Sequence, residues 1–116
     1  MPTLIAGLSP DSPLVREETF GPLTVLMTAT DLDDALAQHN SVEQGLLGTI
    51  YTDDESSQAA FLARAQAGML LVNHARPAFS AAGPFIGWKA SGYGPPEHGR
   101  WNRDVYARVQ AVYRQN

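Results

Sequence analysis

The sequence predicts an α/β fold: a small parallel sheet with crossover helices, then a long Gly/Pro-rich loop and a C-terminal strand. Short apolar runs alternate with amphipathic stretches, and turn or capping residues separate them. The apolar runs show no polar and apolar alternation, which is typical of strands buried on both faces. Helical connections between such strands favour parallel pairing with right-handed crossovers.

The first strand is predicted over residues 23–28 (LTVLMT), directly after the turn residues Gly21-Pro22. A helix should follow, with the hydroxyl of Thr30 as its N-cap and the acid Asp33 three residues later. Acidic residues near this end complement the positive end of the helix dipole. The helix is expected to end near His39.

A second strand is predicted over residues 46–51 (LLGTIY), and Thr52 with the acids after it begins a second helix. This helix is expected to end near Gly68, which we predict to adopt the left-handed conformation of a C-terminal cap. The uninterrupted apolar run over residues 69–72 (MLLV) predicts a third strand.

The segment after Asn73 has a different composition, with five glycines and four prolines in the 26 residues 74–99. A loop of this length inside a domain is usually functional or disordered, and its interleaved aromatic rings argue against disorder. A short helix is predicted near residues 101–105. Residues 107–114 (ARVQAVYR) are predicted to form a strand, although no other segment offers it an obvious partner.

Composition limits the classes of function. A chain of 116 residues with 44% apolar residues suits one globular domain, and a net charge of -4 gives no basic field for nucleic acid. No apolar run approaches the roughly 20 residues that cross a membrane, so the cytoplasm is the expected location. The absence of cysteine excludes disulfides, thiolate metal sites and a cysteine nucleophile within these residues. His39 and His74 lack metal-ligand spacing, so no metal is expected.

Three motifs occur in order along the chain: REETFGPL at residues 16–23, AGMLLVN at residues 67–73 and PFIGWKASGYG at residues 84–94. Together they resemble the aldehyde dehydrogenase superfamily. The resemblance implies a single unit in which residues 1–106 match the C-terminal part of the catalytic domain. Residues 107–116 would then match the strand that family members use in subunit association.

The resemblance gives the acidic and aromatic motif a role in cofactor binding. The second acid of EExFGP in this family accepts hydrogen bonds from the nicotinamide ribose, and the aromatic residue packs beside the nicotinamide; these roles fall on Glu18 and Phe20. A carboxylate can accept from two adjacent hydroxyls, and a ring offers a flat apolar wall. The alternative is a carboxylate that caps loop amides and a phenylalanine buried in a core.

The long loop borders the aldehyde tunnel in family members, so Phe79 and Phe85 resemble rings of the substrate pocket. Phe85 could equally fill the core. Asn73 ends the third predicted strand, where a structural hydrogen bond to loop backbone is the expected role. The chain departs from the family pattern at Ile86, where a glycine is usual, and at Pro95-Pro96, which replaces Arg-Glu.

The family's chemistry, as the resemblance implies it, uses a cysteine thiolate, hydride transfer to NAD or NADP, and a water activated by a glutamate. This sequence contains no cysteine and no glycine-rich turn for a pyrophosphate. We therefore expect no catalytic residue here, no catalysis by the chain alone, and possible failure to bind the cofactor unaided. The neighbours Glu97 and His98 are interpreted as part of a solvated loop.

Two other functions stay open on the sequence alone. The chain could be an interaction or regulatory module that pairs with a full-length dehydrogenase, or with itself, through its last strand, because strand edges recruit partners. It could also be a small binding protein that keeps an aromatic pocket. If it is instead part of a dehydrogenase, exposed apolar surface should drive it to form oligomers.

Overall fold

The computed structural model of the protein describes residues 1–74 and 80–115. The chain forms short strands and helices in the order β1 (Thr3–Ala6), α1 (Pro13–Arg16), β2 (Leu23–Leu26), α2 (Leu32–Asn40), β3 (Gln44–Gly45), β4 (Leu47–Ile50), α3 (Glu55–Arg64), β5 (Met69–Val72), β6 (Trp88–Lys89), a 3-10 turn (Gly99–Trp101) and α4 (Asn102–Tyr106).

The strands pair in twos. Strands β4 and β5 are parallel, with Leu47 opposite Met69, and α3 makes the crossover between them. Strand β2 runs parallel to β1, which the sequence analysis did not predict, with Leu23 opposite Thr3. Strands β3 and β6 form a short antiparallel pair. The predicted α/β class with small parallel sheets is confirmed, with the parallel pairing divided between two sheets.

Helix α2 is capped one residue later than predicted. The N-cap is Asp31, whose carboxylate accepts from the backbone N–H of Asp34 at 2.8 Å. The carboxylate of Asp34 in turn accepts from the N–H of Thr30 at 2.9 Å. The backbone N–H of Thr30, and secondarily the side-chain amide of Gln38, lower the pKa of Asp34 by donating to its carboxylate. The predicted Thr30 cap was wrong because a carboxylate one position on satisfies the same exposed amides.

Helix α3 ends earlier than predicted. It stops at Arg64, where the N–H of Ala65 donates to the carbonyl of Phe61. Gly68 is therefore not a helix cap, and its φ is not positive. Its lack of a side chain is needed for another reason, because a Cβ at position 68 would overlap the carbonyl oxygen of Ile86. The glycine allows the backbone at the start of β5 to contact the long loop.

The hydrophobic core is small. Leu36, Phe61 and Ala65 are buried between α2 and α3, and Leu32, Ile50 and Leu70 pack against them. The accessible surface is 9133 Å², whereas a compact monomer of this mass exposes roughly 6,200 Å². The radius of gyration is 18.5 Å, against about 13 Å for a compact domain of this length. Large apolar side chains are also exposed along the described residues, which the sequence analysis expected of part of a larger domain.

The C-terminal region extends away from this core. The predicted short helix is confirmed as α4, and residues 107–115 then continue without helix or paired strand in the described part of the chain. Val109 and Tyr113 are exposed. Whether these residues form a strand with a partner stays a prediction. Among the described helices, none has the length and apolar character needed to cross a bilayer.

Candidate functional site

Residues 17–21 (EETFG), here named the corner, connect α1 to β2. The N–H of Glu17 closes α1 by donating to Pro13, and the N–H of Thr3 donates to the carbonyl of Pro22 beyond the corner. Phe20 lies at φ 49°, in the left-handed region, and 91% of its surface is exposed. This conformation is uncommon for a bulky side chain and usually persists where function requires it.

The structure does not support the structural alternative for Glu18 and Phe20. Phe20 is nearly fully exposed and therefore fills no core. Glu18 is exposed, and within residues 1–74 and 80–115 its carboxylate makes no hydrogen bond that would cap a loop or helix. Within the described residues, an exposed carboxylate without a hydrogen bond and an exposed ring thus lie two positions apart in the corner.

A second candidate region lies beside β5. A cavity of about 270 Å³ is lined by Leu47, Met69, Leu71, Ser80, Phe85 and His98. Phe85 is half-buried, and its backbone pairs with Glu97 through N–H to oxygen bonds of 2.8 and 3.0 Å. These bonds fix Phe85 at the wall of the cavity rather than inside the small core. The sequence-predicted pocket residue Phe85 therefore does line a cavity.

His98 also faces this region, which the sequence analysis did not predict. Its ring packs 5.6 Å from that of Phe85, and its Nδ1 is buried without a hydrogen-bond partner in the described part of the chain. The interpretation of His98 as solvated was wrong, because the Phe85–Glu97 pairing folds it inward. Glu97 itself is exposed. No sequence periodicity signals such a contact within an irregular loop.

The long loop is anchored where it leaves β5. Asn73, at φ 52°, accepts from the N–H of Thr52 and donates to its carbonyl, both at 2.9 Å. The hydroxyl of Tyr51 donates to the carbonyl of His74 at 2.7 Å. The expected structural hydrogen bond of Asn73 to loop backbone is therefore present.

The far side of the loop packs backbone against backbone. A Cβ at Gly92 would overlap the carbonyl of Gly87, so the two glycines permit a close crossing. The Ser91 hydroxyl accepts from the N–H of Gly45 at 3.0 Å. These contacts hold the loop on β3 and leave Phe85 at the cavity.

The predicted site residues lie in two regions. Glu18 and Phe20 stand on the corner, and Phe85 lines the cavity beside β5. Phe79 falls outside the described residues. Within the described part of the chain, no three His, Asp or Glu side chains group as metal ligands. The described residues therefore contain an exposed polar and aromatic corner and a mainly apolar cavity.

Comparison with known proteins identifies one family. The sequence profile of the aldehyde dehydrogenase family matches residues 1–112. The malonate-semialdehyde dehydrogenase 1 of Geobacillus kaustophilus is 42% identical over 112 residues, which cover 96% of this chain and 23% of that protein. The aminoacetaldehyde dehydrogenase of Pseudomonas aeruginosa is 34% identical, covering 97% of this chain and 22% of that protein. The chain thus spans less than a quarter of the length of these relatives.

The structural comparison agrees. The crystal structure of an NAD-dependent aldehyde dehydrogenase from Sinorhizobium meliloti superposes with a TM-score of 0.84 and 31% sequence identity. The superposition covers 96% of this chain and 22% of that one.

Proposed function

Because the chain belongs to the aldehyde dehydrogenase family, we propose that it forms the later part of the catalytic domain of an NAD(P)-dependent dehydrogenase that oxidises an aldehyde to a carboxylic acid. The corner carries the proposal: Phe20 is exposed in a left-handed conformation, and Glu18, two residues before it, is exposed with no hydrogen bond in the described part of the chain. Phe85 contributes a wall of the aldehyde pocket. Phe79 is assigned there on the family resemblance alone.

The corner fits the nicotinamide half of the cofactor. The Glu18 carboxylate has both oxygens available to accept from adjacent ribose hydroxyls. The exposed face of Phe20 offers an apolar wall to a planar heterocycle. When bound, NAD or NADP supplies the hydride acceptor. Both fit the corner equally, because the phosphate that distinguishes them lies on the other half of the molecule.

The remaining active-site groups come from outside these 116 residues. The sequence contains no cysteine, so a thiolate nucleophile would come from residues other than these 116. The excess exposed surface, 9133 Å² against roughly 6,200 Å² for a compact monomer, supports packing against such residues. We place the assembly in the cytoplasm and assign residues 107–116 to subunit association.

Half-cofactors test the proposal. In a nuclear magnetic resonance titration of the chain, nicotinamide mononucleotide should shift the signals of Phe20 and Glu18, whereas adenosine monophosphate at equal concentration should not. The titration extends to millimolar nucleotide, because a site without the rest of the cofactor-binding residues should bind weakly. Equal shifts from both nucleotides, or shifts confined to other residues, would contradict the assignment.

A second candidate function is an interaction module that associates with an intact dehydrogenase. Residues 107–115 favour it, because they are exposed and pair with no strand among the described residues, and such a segment can add to a sheet edge. Deletion of residues 109–116 should then abolish co-purification with the dehydrogenase. Unchanged co-purification would exclude this function.

A further inference from the structure

The end of helix α2 joins segments that are distant in sequence. The carbonyls of Asn40, the last helical residue, of the C-cap Ser41 and of the following Val42 lie at this end, where the helix dipole is negative. Each of the three accepts a hydrogen bond from a cationic side chain. We name these three carbonyls the α2 hub.

Arg16 reaches the hub from the corner side. Its Nη1 donates to the carbonyl of Ser41 at 3.0 Å across 25 residues. Its Nε donates to Pro10 at 3.1 Å, and its Nη2 pairs with Asp11 at 2.7 Å. The guanidinium therefore uses its whole fork to fix the end of α1, directly before the corner.

Lys89 reaches the hub from the loop side. Its Nζ donates to the carbonyls of Asn40 at 2.9 Å and Val42 at 2.8 Å. Its backbone lies at φ 52°, an uncommon conformation for a residue with a side chain. The loop has further attachments nearby, because the N–H of Ala90 donates to Glu43 at 3.0 Å.

The corner is attached through the segments on either side of it. In the described part of the chain, residues 18–20 make no hydrogen bond, and the Arg16–Ser41 bond is the only one that joins residues 9–22 to residues 32–45. Before the corner, the described hydrogen bond to the end of α2 is therefore the one from Arg16, whereas after the corner the chain is held by the Thr3–Pro22 bond and the β1–β2 pairing.

We propose that Arg16 is a positioning residue for the cofactor corner and that the α2 hub sets the corner and the pocket loop relative to each other through Arg16 and Lys89. This inference rests on the proposed function, because the placement of Glu18 and Phe20 by Arg16 matters for cofactor binding only if those two residues bind the cofactor. The end of the helix provides a rigid reference because hydrogen bonds within the helix hold its backbone, including the one from the N–H of Ser41 to the carbonyl of Gln38.

Substitution of Arg16 in the full chain tests the inference. Amide exchange at Val15 and Glu17 should accelerate about tenfold in Arg16→Ala, and backbone order at Phe20 should fall. Arg16→Lys should give an intermediate effect, because it keeps the charge without the fork. Arg64→Ala is the matched control: it removes an exposed arginine paired with Asp33, and the corner should not respond. Exchange of the β5 amides verifies that each variant is folded.

Nicotinamide mononucleotide binding separates this inference from the proposed function. A mobile corner together with weaker nucleotide binding would support both. A mobile corner with unchanged binding would support the positioning role of Arg16 and overturn the assignment of Glu18 and Phe20. The inference would be overturned if the backbone of the corner stayed equally ordered in Arg16→Gln, in Arg16→Ala and in the unmodified chain.

Discussion

The side-chain amide of Asn73 forms two hydrogen bonds of 2.9 Å with the backbone of Thr52, one through its oxygen and one through its nitrogen. The amide thereby continues the β4–β5 ladder by one pair after β5 has ended. Asn73 adopts φ 52°, which turns the chain away from the sheet at the start of the long loop. A residue at this position therefore has to tolerate the left-handed region and replace a peptide group.

Substitution of Asn73 separates these two requirements. Asn73→Gly should lower the free energy of unfolding by about 1 to 2 kcal/mol, because both hydrogen bonds are lost while the backbone stays unstrained. Asn73→Ala should cost about 1 kcal/mol more, because alanine is strained at positive φ. Urea denaturation measures both values. Equal stability of the two variants would argue against the strain.

Gly68 should not tolerate a side chain. Gly68→Ala should lower the free energy of unfolding by about 1–3 kcal/mol, because the added Cβ would displace the Ile86 backbone. Gly83→Ala is the matched control, since among the described residues a Cβ at position 83 meets nothing closer than 3.7 Å and the φ of Gly83 is not positive. Equal stability of the two alanine variants would contradict the predicted backbone contact.

His39 should make stability depend on pH. Burial, and secondarily the Lys89 ammonium, lowers its pKa below the ordinary 6.5. Its ring packs 6.2 Å from that of Phe61, and its Nε2 is buried without a partner in the described residues. The unfolded chain then binds the proton more tightly, so the free energy of unfolding should fall as the pH drops below 6.5.

The variant His39→Gln tests this dependence. Its free energy of unfolding should change less between pH 7 and pH 5, roughly the interval in which histidine ordinarily titrates. Guanidinium titrations at several pH values provide the measurement. An identical slope in the variant and the unmodified chain would assign the pH dependence to other groups.

The cap of α3 depends on one carboxylate. Asp54 accepts from the N–H of Ser57 at 2.8 Å and from its hydroxyl at 2.6 Å, and the Ser57 and Ser56 bonds lower the pKa of Asp54 to about 2. Because this pKa is depressed, the stabilisation is present above pH 3.8 and is lost toward pH 2.

Thermal unfolding of two neighbouring variants tests the cap. Asp54→Ala should lower the melting temperature at pH 7, because the first amides of α3 lose their acceptor. Asp53→Ala removes an exposed carboxylate with no hydrogen bond in the described part of the chain, and should leave the melting temperature nearly unchanged. A reversed order would contradict the cap.

The sequence predicted those elements whose residues act locally. The apolar run at residues 69–72 corresponds to β5, and the acids after Thr52 correspond to the start of α3. Strands β3 and β6 contain two residues each and depend on a contact across the loop, so no local pattern reveals them. The role of Gly68 was predicted wrongly. In a sequence, a glycine that is needed because another backbone segment passes close to it looks the same as one that is needed for a positive φ.

In the candidate site, too, local features could be predicted from the sequence and contacts between distant segments could not. The motif predicted Glu18 and Phe20 as candidate site residues, but only the structure shows that Phe20 is exposed and left-handed. The contact of His98 with Phe85 and the bond of Arg16 to Ser41 join distant segments, which a single sequence does not encode in any spacing.

The affinity of the chain for NAD in two neighbouring variants tests the central claim most directly. The dissociation constant, followed through the Phe20 signals, should rise about tenfold or more in Glu18→Ala, because a charged hydrogen-bond acceptor is lost. It should change little in Glu17→Ala, which removes the adjacent exposed carboxylate. Equal effects of the two substitutions, or none from either, would contradict the assignment of the corner to the nicotinamide ribose.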